Sequence, residues 1–369
     1  SSQCGPPTAY RNPTWESGLP TIATSGLTFV DGEPWGDWDG QLFVSQLKEK
    51  DMRRFSLSPS GTTSTQQEIH FDGDWGRLRA ATRGPAWQLY LSTSNGSNDL
   101  IVRVSVSEPS VGRIFGADRY ATAAAVSEAT TAQDVPVAYV ASGIDFADAL
   151  TGGAAAAHLD GPVLLVTPNT IPEATAAELT RLTPGRIVVL GGPKAVSATV
   201  AEGLMAYTAG SVSRLAGADR YETAARVATT SFAPGVDAAF VATGSGFADA
   251  LAGVPAAAHL EGPLLLTKRI GLPAATENAL DALNPARIYV LGGPAAVSDA
   301  VLASLDHLTT GPVTRLAGAD RFATAAAVAS LWPRSNAAYV ATGAEFPDGV
   351  SGGAAAARQD VPLLLTEQN

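Results

Sequence analysis

The sequence predicts three α/β modules of the Rossmann-like, doubly wound type, the third incomplete, behind an N-terminal all-β segment. Two observations carry this. Arg113-Ile114-Phe115-Gly116-Ala117-Asp118-Arg119-Tyr120 returns as Arg214-Leu215-Ala216-Gly217-Ala218-Asp219-Arg220-Tyr221 and again as Arg315-Leu316-Ala317-Gly318-Ala319-Asp320-Arg321-Phe322. The starts are 214 − 113 = 101 and 315 − 214 = 101 residues apart, too long a period for a solenoid of small units and long enough for a small domain. The hydrophobic period also changes near residue 110, from short alternating runs to apolar strands followed by Gly turns and Ala-rich helices. The segments are therefore 1–110 (all-β), 111–211, 212–312 and 313–369, the last lacking its final helix, strand and Gly-Gly element.

Composition narrows the function classes. With 46% hydrophobic and 16% charged residues in 369, the chain can bury a core. No apolar run reaches the ~18 residues of a membrane span. No charged-then-apolar leader opens the chain, so a signal peptide is expected to lie outside it. Cys4 is the single cysteine, so no internal disulfide framework is expected. Residues 1–110 carry 9 basic and 12 acidic side chains, and residues 111–369 carry 15 and 23. Both parts are acidic, which argues against non-specific nucleic-acid binding. The chain has only four lysines, too few for a polybasic membrane patch. Any anion must be met by local sites.

In the first segment, Leu42-Phe43-Val44, Arg53–Leu57, Leu89-Tyr90-Leu91 and Leu100–Val104 read as short strands. Turn clusters such as Asp31-Gly32 and Ser94-Asn95-Gly96-Ser97 separate them. The spacing suits four-stranded antiparallel units like propeller blades, two at most; a small independent sandwich is the other reading. In the first repeat the expected order is a strand at Val111–Phe115, a helix from Asp118 to about Ala129 and a strand at Ala138–Ala141. A helix from about Phe146 to His158, a strand at Pro162–Val166 and a helix opened by Pro172 follow. A strand at Ile187–Leu190 and a helix from about Ala195 complete it. Short apolar strands alternating with helices imply a parallel sheet buried on both faces.

Three motifs recur. In Gly-Ala-Asp-Arg-[Tyr/Phe]-x-Thr-Ala, Asp118, Asp219 and Asp320 stand at helix N-caps. Arg119, Arg220 and Arg321 follow at the helix start, where the dipole disfavours a cation. That conflict points to a second job: pairing with an acid of a neighbouring copy, or clamping a phosphate or carboxylate. In Gly-x-x-Phe-[Ala/Pro]-Asp, Phe146, Phe247 and Phe346 read as core anchors. Asp148, Asp249 and Asp348 read as first-turn carboxylates that could pair with the arginines. In Leu-Gly-Gly-Pro-x-Ala-Val-Ser, Gly191, Gly192, Gly292 and Gly293 form a strand-to-helix turn whose amides could hold an anion. It is neither a Walker loop nor a dinucleotide fingerprint. In a parallel sheet all these turns fall at the carboxyl ends of the strands, where crevices form. His158 and His259 repeat, with Arg358 in the third copy; a cation near a helix C-terminus explains all three better than metal binding. No metal cluster and no Ser/His/Asp set is evident within a repeat.

At these motifs, residues 111–369 closely resemble the cell-wall-binding repeat of the second type found in surface proteins of Gram-positive bacteria. The resemblance implies non-covalent attachment to anionic wall polymers and three copies assembled about a pseudo-threefold axis. The incomplete third copy departs from it. Residues about 16–106 resemble the C-terminal part of a glucose/sorbosone dehydrogenase propeller that uses pyrroloquinoline quinone (PQQ). The elements that carry this include Trp38–Val44, Leu47-Lys48, Gly76-Arg77-Leu78-Arg79 and Leu89–Thr93. That resemblance implies quinone contacts by Lys48, Arg77 and Arg79; ordinary surface cations are the alternative. Departures are Pro85-Ala86-Trp87 in place of a Pro-Asp-Gly turn, and Ala80 where an acid is usual. The catalytic histidine and calcium ligands would lie in upstream blades, so no cofactor is expected in this chain, with PQQ and calcium reserved for a longer parent. Three functions follow: a secreted, wall-anchored binding array, a sugar dehydrogenase carried on that anchor, or a structural surface-layer component.

Overall fold

The computed structural model describes residues 23–85, 88–105 and 110–367. Cys4 and the Ala86-Trp87 pair lie outside them. The chain divides into two compact units, 1–112 and 113–369.

The first unit is all-β. Strands β1 (Thr24–Val30), β2 (Gln41–Gln46), β3 (Met52–Leu57) and β4 (Ser64–His70) form an antiparallel sheet in chain order. Strands β5 (Leu78–Arg83), β6 (Leu89–Thr93) and β7 (Ile101–Val104) form a second one. Sequence patterning found β2, β3, β6 and β7. It missed β4, whose STQQEIH run has almost no apolar signal, and β1 and β5. The Ser25 hydroxyl donates to the Leu78 carbonyl at 2.6 Å, bringing β1 against β5. Phe43, Met52, Leu78, Leu89 and Leu91 form the core.

The second unit holds the repeats. In the first copy, α1 (Arg119–Thr130), β8 (Ala138–Ser142), α2 (Ala147–His158), β9 (Val163–Val166), α3 (Glu173–Leu182), β10 (Ile187–Leu190) and α4 (Ala198–Gly203) follow one another. The sheet that they build is wholly parallel, in the order β11-β10-β8-β9, and β11 is Val212–Leu215. Thus the strand that opens the second sequence repeat closes the first sheet. The second copy does the same with α5 (Arg220–Ser231), β12 (Ala239–Thr243), α6 (Ala248–His259), β13 (Leu264–Thr267), α7 (Ala274–Leu283), β14 (Ile288–Leu291), α8 (Asp299–Ser304) and β15 (Val313–Leu316). Its order is β13-β12-β14-β15. The third copy gives α9 (Arg321–Ala329), β16 (Tyr339–Thr342), α10 (Pro347–Arg358) and β17 (Leu363–Thr366), with β16 and β17 paired in parallel. The strand expected at Val111–Phe115 does not form. Its counterparts β11 and β15 pair with the third strand of the module before them, and among the described residues no α/β module precedes Arg113.

The sheets are buried on both faces, as a doubly wound layer requires. In the first, Tyr139, Ala141, Leu165 and Leu190 join Leu150 of α2 in one core. Alternate residues Ala138, Val140, Leu164, Ile187 and Val189 join Leu179, Leu182 and Val200 in another. Val140 and Val241 are 0% exposed, whereas Val340, on a strand with no second neighbour among the described residues, is 64% exposed.

Helices α2, α6 and α10 pack against one another in all three pairs. Their sequences ADALTGGAAAAH, ADALAGVPAAAH and PDGVSGGAAAAR carry small residues through the middle. A Cβ on Gly153 would stand 2.6 Å from Val254 Cγ1. Replacing Gly153 with Val should therefore destabilise the second unit by about 1–3 kcal/mol through overpacking, read as a lower urea midpoint at unchanged slope.

Candidate functional site

The three Gly-Ala-Asp-Arg turns meet at one centre. Each aspartate caps its helix. Asp118 accepts from the amides of Tyr120 and Ala121 at 2.9 and 2.8 Å, Asp219 from Tyr221 and Glu222 at 3.0 and 2.9 Å, and Asp320 from Ala323 at 2.8 Å. The cap orients the next residue, the arginine, toward the neighbouring copy. Arg119 Nη1 donates to the Gly143 carbonyl at 2.7 Å and Arg220 Nη1 to that of Gly244 at 2.6 Å. Arg321 makes the same bond to Gly343. Each guanidinium also stands over a phenylalanine of another copy: Arg220 over Phe146 at 5.3 Å, Arg321 over Phe247 at 5.8 Å and Arg119 over Phe346 at 5.7 Å. The last contact closes the ring from third copy to first. The three rings lie 5.8, 6.0 and 6.0 Å apart, a near-equilateral triangle.

The ion pairs differ from the simplest expectation. Arg220 pairs with Asp145 at 3.2 Å and Arg119 with Glu345 at 3.9 Å, not with Asp148 and its counterparts. Arg321 has no ion pair within 4 Å among the described residues, because Gly246 occupies the corresponding position. These acids fall on the unconstrained positions of Gly-x-x-Phe, so the motif hid them.

Asp148 is held differently. Burial, with a smaller push from Asp145, raises its carboxyl to about 6, against the pull of Arg220 and of a hydrogen bond with Thr223. Asp249 is raised by burial too, opposed by Thr324 and Arg321. Asp348 is exposed, because among the described residues the third copy has no counterpart of Gly191 and Gly292, which stand against Asp148 and Asp249. The threonines are therefore linkers. Thr122, Thr223 and Thr324 accept from the amides of Gly116, Gly217 and Gly318 at 3.1, 3.0 and 3.1 Å, and the last two reach the preceding copy's aspartate. Their repetition within the motif was the available signal.

The Gly-Gly turns are braced rather than open. Gly191 and Gly292 have φ of +88° and +94°, and a Cβ there would stand 2.1 and 2.2 Å from Asp148 and Asp249 Oδ2. Only glycine suits such a position. The Gly191 and Gly292 amides donate to the Leu215 and Leu316 carbonyls, so those amides are already committed. Arg214 and Arg315 donate to the Gly191 and Gly292 carbonyls at 2.6 and 2.7 Å. Gly192 and Gly293 face open space. The helix expected from Ala195 starts later, because Ser197 and Ser298 cap α4 and α8.

Strand orders β9-β8-β10-β11 and β13-β12-β14-β15 reverse direction between β8 and β10 and between β12 and β14. Sites of doubly wound sheets lie at such reversals. Beside this carboxyl edge in the second copy, an open groove of about 600 Å³ is lined by Tyr221, Arg226, Lys268, Pro273 and Asn278, among others. Lys268 is exposed and lies over the Tyr221 ring at 5.7 Å.

In the all-β unit, Lys48 is exposed in the turn after β2. Arg77 and Arg79 are exposed beside the 94–95 turn, where Arg79 donates to Ser94 at 3.3 Å and the Arg77 amide to Asn95 at 2.8 Å. None of the three lines the cavity of about 300 Å³ between Asp31, Trp35 and Arg83. Among the described residues no helix is long and apolar enough to cross a membrane, and no group of three or more His, Cys, Asp or Glu could hold a metal.

Residues 113–201, 214–302 and 315–369 match the family model Cell wall binding domain 2 (CWB2). The chain belongs to this family. Residues 6–102 match the model Glucose / Sorbosone dehydrogenase. N-acetylmuramoyl-L-alanine amidase LytC of Bacillus subtilis (strain 168) is 30% identical over 268 residues, 72% of this chain and 52% of that protein. The amidase enhancer of the same organism is 30% identical over 258 residues, 70% of this chain and 35% of its own length. The chain thus spans about half or less of these relatives. Cwp6 and Cwp8 from Clostridium difficile each share the fold with a TM-score of 0.64 at 20% identity. They cover 89% and 88% of this chain, which covers 59% and 71% of theirs.

The first CWB2 repeat makes a pH prediction. The folded-state pKa of Asp148 lies above its unfolded value, so the protonated carboxyl favours the folded state below about pH 4 and that advantage is lost as pH rises through about 6. Asp148→Asn should therefore stabilise the protein by about 1–2 kcal/mol near pH 7.5 and by almost nothing near pH 4, measured by urea unfolding at both pH values.

Proposed function

We propose that the CWB2 array moors the chain to a Gram-positive cell wall by non-covalent contact with an anionic wall polymer, and that the polymer meets the carboxyl edge of the sheets. The observation that carries this is Arg321. It stands in a ring of three arginines, two of them neutralised by Asp145 and Glu345, and its own position in that ring has Gly246 instead of an acid. In a chain of net charge −11, such local cations supply the attraction that the overall field does not. Lys268 in the adjacent groove adds a second exposed cation. Arg119 and Arg220 act mainly as ties between copies, and Gly192 and Gly293 give the open surface beside them. This reading places the protein outside the cell, on its surface, where repeated modules bind a repetitive polymer by avidity.

The test is co-sedimentation with purified walls before and after the anionic polymers are stripped. Stripping should abolish retention. Arg321→Gln and Lys268→Gln together should weaken binding to intact walls by about tenfold, equivalent to ~1.4 kcal/mol, with the loss greatest at low salt. Equal retention on stripped walls contradicts the proposal.

The dehydrogenase match over residues 6–102 favours a second role for a longer parent: oxidation of a sugar by PQQ with calcium, with Lys48, Arg77 and Arg79 near the quinone. In this chain those three side chains are exposed. Purified protein supplied with PQQ and calcium should therefore give no dye-linked glucose oxidation above the protein-free control.

A further inference from the structure

The three junctions between copies are built alike, except one. At the first, His158 at the end of α2 stacks on Phe232, the residue that caps the C-terminus of α5, with ring centroids 4.6 Å apart. At the second, His259 at the end of α6 lies on Trp332 at 4.6 Å, and its Nδ1 is 2.6 Å from Asp360 Oδ1. At the third, which closes the ring between α10 and α1, Arg358 replaces the histidine. Thr131, the C-cap of α1, replaces the aromatic ring, and Ser127 stands where α5 has Ala228. Removing the ring leaves a cavity of about 10 Å³ lined by Ser127, Thr131, Pro162, Ala355 and Arg358. That is room for one water-sized occupant.

Four polar atoms buried here have no hydrogen-bond partner among the described residues: Arg358 Nε and Nη1, Ser127 Oγ and Thr131 Oγ1. A guanidinium only donates, and both hydroxyls can donate. The cavity thus presents converging donors around a positive charge. Burial pushes the Arg358 pKa down, opposed more weakly by Asp160, which makes no ion pair with it within 4 Å. Buried polar groups left unsatisfied in this way are costly, and they commonly mark an ion or a water. An occupant that only accepts fits four donors better than water, which must also place two hydrogens.

We propose that this cavity is a binding site for a single small anion of the halide type, held by Arg358, Ser127 and Thr131, and that it closes the ring of three copies. The site lies between α1 and α10, away from the arginine ring, so it does not depend on how the wall polymer is bound.

Thermal unfolding of the full chain in sodium chloride and in sodium gluconate at equal ionic strength tests this. Because the anion binds only the folded state, the midpoint should rise with the logarithm of chloride concentration above its dissociation constant, and not with gluconate. The double variant Thr131→Phe/Arg358→His recreates the His–Phe pair of the first junction and should fold, with a midpoint indifferent to the choice of anion. Crystals grown in bromide should show an anomalous peak within hydrogen-bond reach of Arg358 Nε and the Ser127 and Thr131 hydroxyls. A water at that position with no bromide signal, or equal chloride dependence in wild type and double variant, would overturn the proposal.

Discussion

The close approach of α2, α6 and α10 is the constraint on which the repeat unit depends. Three helices can share one contact only if their facing residues are small, which is why alanine and glycine dominate all three. Their short side chains contribute little apolar area each, so the ends of the helices must hold the arrangement in register. The phenylalanine before each helix does this. The three rings meet at one end of the triplet, and each also gives its face to an arginine from another copy. A cation over an aromatic face contributes about 0.5–2 kcal/mol, more when desolvated. The guanidinium is further tied to a glycine carbonyl, so the same side chain reads both its own copy and a neighbour.

That arrangement explains why an arginine follows the helix-capping aspartate despite the dipole. Its charge is answered by a carbonyl, a ring and, in two copies of three, a carboxylate. The exception at Gly246 leaves one cation less compensated than its equivalents, and this asymmetry separates a structural tie from a surface able to attract an anion. The buried carboxyls of Asp148 and Asp249 are a different device. They sit beneath glycines of positive φ and accept from threonines of the next copy, linking the turn of one sheet to the helix of the next.

Much of this was legible in the residues, and the limits have physical causes. Apolar runs of four or five residues placed the parallel strands, and Asp118, Asp219 and Asp320 announced their helices through local capping chemistry. The repeat gave the length of a module but not its phase. A period is the same wherever counting starts, so the strand at Val212–Leu215 read as the opening of one copy when it completes the sheet of the previous one. The partners Asp145 and Glu345 were hidden because the position varies among Asp, Gly and Glu. In the all-β unit, β4 escaped because a strand with polar residues on both faces carries no two-residue hydrophobic alternation. Lys48, Arg77 and Arg79 are exposed in the fold, as cations without buried partners are.

If the three copies form one cooperative body through the Phe146–Phe247–Phe346 contact, native-state hydrogen exchange on wild type and Phe247→Leu will show it. The slowest amides of β8, β12 and β16 should lose protection together, by a similar free energy, although the substitution lies in the second copy alone. Loss confined to β12 and β14, with β8 and β16 unchanged, would contradict it.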